Sequence, residues 1–244
     1  MDNPIKLSII TLVYQNEKIE DYIREIQEKI IKRFRDLRVG GVEFIVAEDG
    51  SKDDTRAILQ SIKEKYGLIL NLGSQRRGYI GAAKEVYMQA KGEYIFFADS
   101  DRESDPGDFW KLWDKLQREN LDIVVGYRKS RRPYYRFFIT KINGFLTGIL
   151  FNVWLGDANA GFRIIKGNVA RKIIPLTGNL LAAFNAEFFV IAKQLKYSYG
   201  EVPIKHFFQK SVVFPVKKMP LTLIRAFFEL FRLKFKILKG AIKN

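Results

Sequence analysis

The sequence has no cysteine and a single histidine, His206. The first absence excludes disulfides and thiolate-held metals, and it permits a reducing compartment. No run reaches the ~20 apolar residues that a spanning helix needs. The nearest, Ile142–Leu155, is uncharged but short, and Asn143 and Asn152 interrupt it. The opening Met1-Asp2-Asn3-Pro4 lacks the basic-then-apolar order of a secretory signal, so none is expected. Gly78–Gly81 matches no dinucleotide fingerprint and lacks the Lys-Ser/Thr of a P-loop; it reads as close helix packing. What is present is a folding composition. Its 244 residues are 47% hydrophobic and 14% aromatic, enough for one large domain with an appendage.

Charge divides the chain. Residues 1–124 carry 20 Lys/Arg against 23 Asp/Glu, whereas residues 125–244 carry 22 against 4. A basic, aromatic second half calls for an anionic counterpart: nucleic acid, a phosphorylated substrate or an anionic membrane. Against nucleic acid, the basic positions are interleaved with long apolar helical faces and form no familiar binding module.

The first half alternates in pattern. Apolar strands are predicted at Leu7–Val13, Glu43–Ala47, Leu68–Asn71, Tyr94–Ala98 and Ile123–Val125. Between them, helical spacing predicts Ile19–Phe34, Asp53–Tyr66, Tyr79–Ala90 and Pro106–Arg118. This is the signature of an α/β fold with a mostly parallel sheet covered on both faces. Ligands bind such sheets at the carboxyl ends of the strands. Glu48-Asp49 and Asp99–Asp101 each follow a strand directly, so they belong on one rim.

The second half predicts helices at Tyr134–Leu155, Leu180–Leu195 and from Pro220, with short strands at Phe162–Ile165 and Glu201–Ile204. In the last helix Arg225, Glu229, Arg232, Lys236, Lys239 and Lys243 share one face. Ile224, Phe227, Phe228, Phe231, Phe235, Leu238 and Ile242 fill the other. A cationic face opposite an aromatic one fits a helix lying in a membrane interface; docking on the core or on another subunit is the alternative.

Asp99-Ser100-Asp101 at a strand end is the central chemical feature. Two carboxylates with one spacer can hold a hard cation, Mg²⁺ or Mn²⁺, against a diphosphate. The same pattern also caps helices, so the pair needs company. That company comes in order: Thr11-Leu12-Val13-Tyr14 with Glu17, Glu48-Asp49-Gly50-Ser51 with Asp53, Gly78 with Gly81-Ala82-Ala83, then Gly126-Tyr127-Arg128. Later come Asp157, Gly161-Phe162-Arg163, Glu187 and Glu201-Val202-Pro203-Ile204.

From about Leu7 to Ser211 this series resembles the family 2 inverting glycosyltransferases of the GT-A fold, and within them the polyprenyl-phosphate sugar synthases. The resemblance implies a catalytic domain over 1–211, with an interface helix at 134–155, and a membrane-association segment over 212–244. It implies that Leu12, Tyr14, Glu17, Asp49 and Gly78 bind the nucleotide of a sugar donor. Asp99 would meet the donor, with Asp99, Asp101 and Glu103 at the metal. Arg128, Arg131, Arg136, His206 and Lys210 would hold the acceptor phosphate, and Asp101, Arg128 and Glu187 are the candidate catalytic residues. Departures accompany it: Leu12 replaces a Pro, Gln15 is inserted, Glu48 replaces an Asp, and Gln209 stands near an expected Arg. The implied activity is transfer of a hexose from a GDP-mannose or UDP-glucose type donor to a polyprenyl monophosphate. It would occur at the cytosolic membrane face, on a peripheral protein, with room for a homo-oligomer or a membrane partner subunit.

Some residues keep two readings. Asp157 and Arg163 either pair across a turn or belong to the site. Glu187 is either structural, positioning the acceptor, or a base. A lipid phosphate is ionised at neutral pH and needs no base, whereas a sugar or protein hydroxyl would. His206 is either a packed strand residue or a phosphate contact.

Overall fold

The structure is a computed structural model that describes residues 4–129, 134–157, 159–178, 180, 183–207 and 219–240. Seven strands form one sheet: β1 (Ile5–Val13), β2 (Gly41–Glu48), β3 (Leu68–Leu72), β4 (Tyr94–Ala98), β5 (Ile123–Arg128), β6 (Phe162–Lys166) and β7 (Tyr199–Ile204). Their order is β3-β2-β1-β4-β6-β5-β7, and β6 alone runs antiparallel to its neighbours β4 and β5. The predicted α/β architecture is therefore present, with every predicted strand in it.

The alternation of side chains builds two cores, one per face. Ile10, Ile45, Phe97 and Ile165 point to one side, under α4 (Gly78–Gln89), α7 (Gly167–Ile173) and α8 (Phe184–Gln194). Leu7, Ile9, Phe44, Phe96 and Phe162 point to the other. There they meet α1 (Ile19–Ile26), α2 (Lys32–Asp36), α3 (Thr55–Tyr66) and α5 (Phe109–Arg118). A π-helical turn, Gln27–Ile31, joins α1 to α2, so the predicted single helix carries one extra-wide turn.

Two helix boundaries and one additional helix differ from expectation. Helix α6 (Tyr134–Phe151) stops four residues before Leu155, because Asn152 adopts a left-handed backbone and Trp154 folds back over Gly148. A Cβ at Gly148 would strike that indole. Helix α8 starts at Phe184 rather than Leu180, and α7 was not anticipated.

The last helix, α9 (Met219–Leu238), has three faces, not two. Ala226, Leu230 and Leu233 are buried in the core, with Ile237 packed beside them. Polar contacts at helix ends fix it there. Glu229 accepts from the Ala183 N–H at the start of α8 (3.0 Å), and Lys234 donates to the Leu150 carbonyl in the last turn of α6 (2.6 Å). Each contact meets an unsatisfied helix-end group with the favourable charge. The aromatic row of the sequence remains in solvent. Among the described residues, no helix is long and apolar enough to cross a membrane.

Candidate active site

β1, β2 and β4 are adjacent and end at one rim. Side chains join their loops: Thr11 Oγ1 donates to the Ala98 carbonyl (2.7 Å) and Ser100 Oγ to the Leu12 carbonyl (2.7 Å). Asn16 donates through Nδ2 to the Ser100 carbonyl (3.1 Å), while its N–H reaches Thr55 Oγ1 (2.8 Å). Buried hydroxyls and amides are thus paired, and the loops are held at fixed separation. Between them lies a cavity of about 320 Å³, lined by Leu12, Tyr14, Asp49, Arg76, Tyr79, Asp99 and Asp101 among others.

Asp49 organises one wall. Its two oxygens accept the N–H groups of Arg77 (2.7 Å) and Gly78 (3.0 Å), tying the end of β2 to the start of α4. Gly78 has φ +74, a conformation that a side chain would strain. Each carboxylate oxygen has a second lone pair, so a ligand can still donate to Asp49. The Arg76 guanidinium stacks on the Tyr14 ring, 4.0 Å from its centroid, and both line the cavity. Glu48, by contrast, is fully buried and structural: it pairs with Arg56 and accepts from the Ser51 N–H.

Asp99 and Asp101 form the opposite wall. Loss of hydration pushes the Asp99 carboxyl up to about 7, and the charge of Asp101 adds to the rise. Arg163 and Arg128 oppose it, but neither forms an ion pair with it among the described residues. Gly161 makes this placement possible, because a Cβ there would overlap the Asp99 carboxylate. Gly161→Ala should displace Asp99 and lower turnover by roughly 10²-fold while the melting temperature changes little. Turnover within a few-fold of wild type would refute the role given to this contact.

Two carboxylates on one cavity wall suit a shared divalent cation, and oxygen ligands suit Mg²⁺ or Mn²⁺. The fit has a proton signature. The folded chain holds a proton on Asp99 that the unfolded chain has already released, so this group's contribution to stability falls as pH rises between its ordinary value and about 7. A cation must displace that proton. The rise in melting temperature on adding Mn²⁺ should therefore grow from about pH 5 to pH 8; a pH-independent rise would contradict a site at Asp99.

The other expected residues are distributed as follows. Glu103 is buried and turned toward Arg128 (3.7 Å), outside the cavity lining. Among the described residues no three His, Asp or Glu side chains converge on one point. Arg128 is buried with Nε donating to Asp157 (2.6 Å), and its Nη2 has no hydrogen-bond partner among the described residues. Asp157 and Arg163 do not pair, which corrects the cross-turn reading: Arg163 donates to the Ala160 carbonyl (3.2 Å) and binds Asn185. Glu17 is exposed and does not line the cavity. Glu187 lines a separate cavity, where it accepts from the Gly178 N–H (2.9 Å). His206 forms a β-bridge to Ser104, its Nδ1 3.1 Å from the Glu103 carbonyl. Arg136 lies in α6. Arg131, Lys210 and Gln209 fall outside the described residues.

Sequence reasoning missed Arg76, Tyr79 and Asn16. A signal existed for the first two. Gln75-Arg76-Arg77-Gly78-Tyr79 follows a strand at the carboxyl rim, where charged and aromatic side chains meet ligands.

A mostly parallel sheet with paired carboxylates and a strand-end acid around one rim cavity agrees with the GT-A resemblance of the sequence. The Glycosyl transferase family 2 model matches residues 8–173, and the chain belongs to that family. Similar sequences include a dolichyl-phosphate beta-glucosyltransferase of Dictyostelium discoideum, 29% identical over 224 residues, covering 84% of this chain and 67% of that protein. A dodecaprenyl-phosphate galacturonate synthase of Rhizobium johnstonii is 28% identical over 137 residues, 54% of this chain and 40% of that one. Among solved structures, the mannosyltransferase PcManGT of Pyrobaculum calidifontis, in complex with GDP-Man and Mn²⁺, superposes with a TM-score of 0.65 at 15% identity. The match covers 95% of this chain and 65% of that one. Glucosyl-3-phosphoglycerate synthase of Mycobacterium tuberculosis, with Mn²⁺ and UDP, gives 0.61 at 17% identity, covering 91% and 76%.

Proposed function

We propose that this enzyme transfers a hexose, with inversion, from a nucleotide-sugar to a polyprenyl monophosphate at the cytoplasmic face of a membrane. The observation that carries the reading is the single cavity holding Asp49 on one wall and Asp99 with Asp101 on the other. Leu12 and the Tyr14 ring, which carries the Arg76 guanidinium on one face, would line the seat of the base, and Asp49 would accept a hydrogen bond from it. Asp99 and Asp101 would hold Mg²⁺ or Mn²⁺, which supplies positive charge against the departing diphosphate. The acceptor oxygen bonds to the anomeric carbon as the bond to the donor phosphate breaks on the opposite face. Arg128, with Arg131, Arg136, His206 and Lys210, would contact the phosphate.

Relatives named for dolichyl- and dodecaprenyl-phosphate chemistry support this acceptor class. So does the position of Glu187, which lines a different cavity from the donor carboxylates and is thereby a poor base for the acceptor. The test is a screen of UDP- and GDP-sugars with Mn²⁺ or Mg²⁺ against a short polyprenyl phosphate, products resolved by mass. Glu187→Gln should leave turnover on that acceptor within roughly three-fold of wild type. Glycosylation of sugar or protein hydroxyls alone, abolished by Glu187→Gln, would overturn the proposal.

A further inference from the structure

A second cavity, of about 340 Å³, opens between α8 and α9 and is lined by Gly178, Leu180, Glu187, Arg232, Leu233 and Lys236. Among the described residues it shares no lining residue with the donor cavity. Arg232 and Lys236 stand one turn apart on α9, and neither has a carboxylate partner within ion-pair distance among the described residues. Lys84 adds a third cation close by, its ammonium held on the Thr177 carbonyl (2.7 Å). The nearby Glu229 is bound to Arg225 (2.9 Å) and to the Ala183 N–H.

The remaining charge is Glu187, only 1% exposed. One of its oxygens takes the Gly178 N–H (2.9 Å); the other receives no hydrogen bond among the described residues. Two cations without an ion-pair partner, set against one carboxylate, leave a net positive charge for an anion, and the Glu187 oxygen that receives no hydrogen bond can take a donor. A protonated or hydroxyl-bearing phosphate meets both demands. The cavity's apolar wall, Leu180 and Leu233, and the exposed Phe228, Phe231 and Phe235 on the same helix then suit a hydrocarbon tail.

We propose that this cavity between α8 and α9 is a second binding site, separate from the donor cavity, for a lipid-borne phosphate. It rests on the membrane-facing reading of α9, so soluble lipid phosphates are used to test it without a bilayer or any sugar transfer. Dihexanoyl phosphatidic acid, geranyl phosphate and inorganic phosphate are titrated calorimetrically into the full chain. Both lipid phosphates, or one of them, should bind saturably and roughly ten-fold more tightly than inorganic phosphate. Preference for geranyl phosphate names the acceptor lipid as the source; preference for phosphatidic acid names the bulk membrane. Arg232→Gln with Lys236→Gln should weaken that binding by roughly ten-fold or more, and Lys236→Arg should retain it. Both side chains are exposed, so the fold should survive; unchanged affinity for a nucleoside diphosphate with Mn²⁺ verifies it. Equal affinity for inorganic phosphate, or undiminished lipid-phosphate binding in the double variant, overturns the site. An enzyme inactive in sugar transfer that passes this test would fail the proposed reaction alone.

Discussion

Replacing Asp101 by alanine should lower sugar transfer by about 10³-fold or more while the melting temperature of the apo protein stays the same or rises. The direction of the stability effect follows from electrostatics. Asp101 is an acid beside another acid, and its charge helps to push the Asp99 carboxyl up. Removing it relieves that repulsion, as strain stored at a functional site is relieved when function is removed. Asp101 also accepts the Glu103 N–H (2.9 Å), a bond that offsets part of the gain, since the loss of one such bond costs about 1 kcal/mol. Activity and stability therefore move apart, which a merely structural aspartate would not produce. The paired measurement is Mn²⁺ titration followed by melting temperature. The variant should lose most of the metal-induced rise, and a full rise together with wild-type turnover would remove Asp101 from the site. The same substitution would not be clean at Arg128. Losing its guanidinium strands Asp157 in the interior, a change that costs about 3–5 kcal/mol in comparable buried pairs, so activity would fall with stability.

The donor side of this site was legible because it is built from local rules. Apolar runs of five to nine residues become buried strands, and acids at their ends must then share a rim. Asp49, Asp99 and Asp101 line one cavity on that basis, whereas Leu12 and Tyr14, which line it too, were expected only from the family resemblance. Contacts between residues far apart in sequence were not legible. Arg128 reads as a free cation until β5 is seen beside the segment that carries Asp157. Glu103 reads as a third ligand, and its 3.7 Å approach to the same guanidinium has no signal in the sequence. Helix α9 shows the limit most clearly. It has two apolar stripes at helical spacing, Ala226-Leu230-Leu233-Ile237 and Ile224-Phe228-Phe231-Phe235-Leu238, and periodicity cannot say which one the core takes. The core takes the slimmer stripe, whose neighbours Glu229 and Lys234 reach the ends of α8 and α6.

The stripe left outside leads to the second large effect. Helix α6 is inverted relative to an ordinary surface helix: Thr140, Asn143 and Thr147 are buried, while Phe138, Ile142, Phe145 and Ile149 are exposed. It packs against α9, which exposes Ile224, Phe228, Phe231, Phe235 and Leu238. Two touching helices that both turn their bulkiest apolar rows to solvent exceed what single exposed hydrophobics account for. A bilayer interface is the partner we propose, since α9 adds exposed Arg232, Lys236 and Lys239 for anionic headgroups. Phe228→Ser with Phe235→Ser should then weaken binding to phosphatidylglycerol vesicles by about 10²-fold or more, given about 2 kcal/mol for each phenyl ring moved out of water. Both rings are more than 60% exposed, so the melting temperature should hold. Leu230→Ser is the opposite control: it cuts the buried stripe and should destabilise the fold by several kcal/mol, about 2–5 in comparable core truncations. If the double phenylalanine variant sediments with vesicles as fully as wild type, the exposed rows serve another partner, and the acceptor lipid must reach the donor cavity by a different approach.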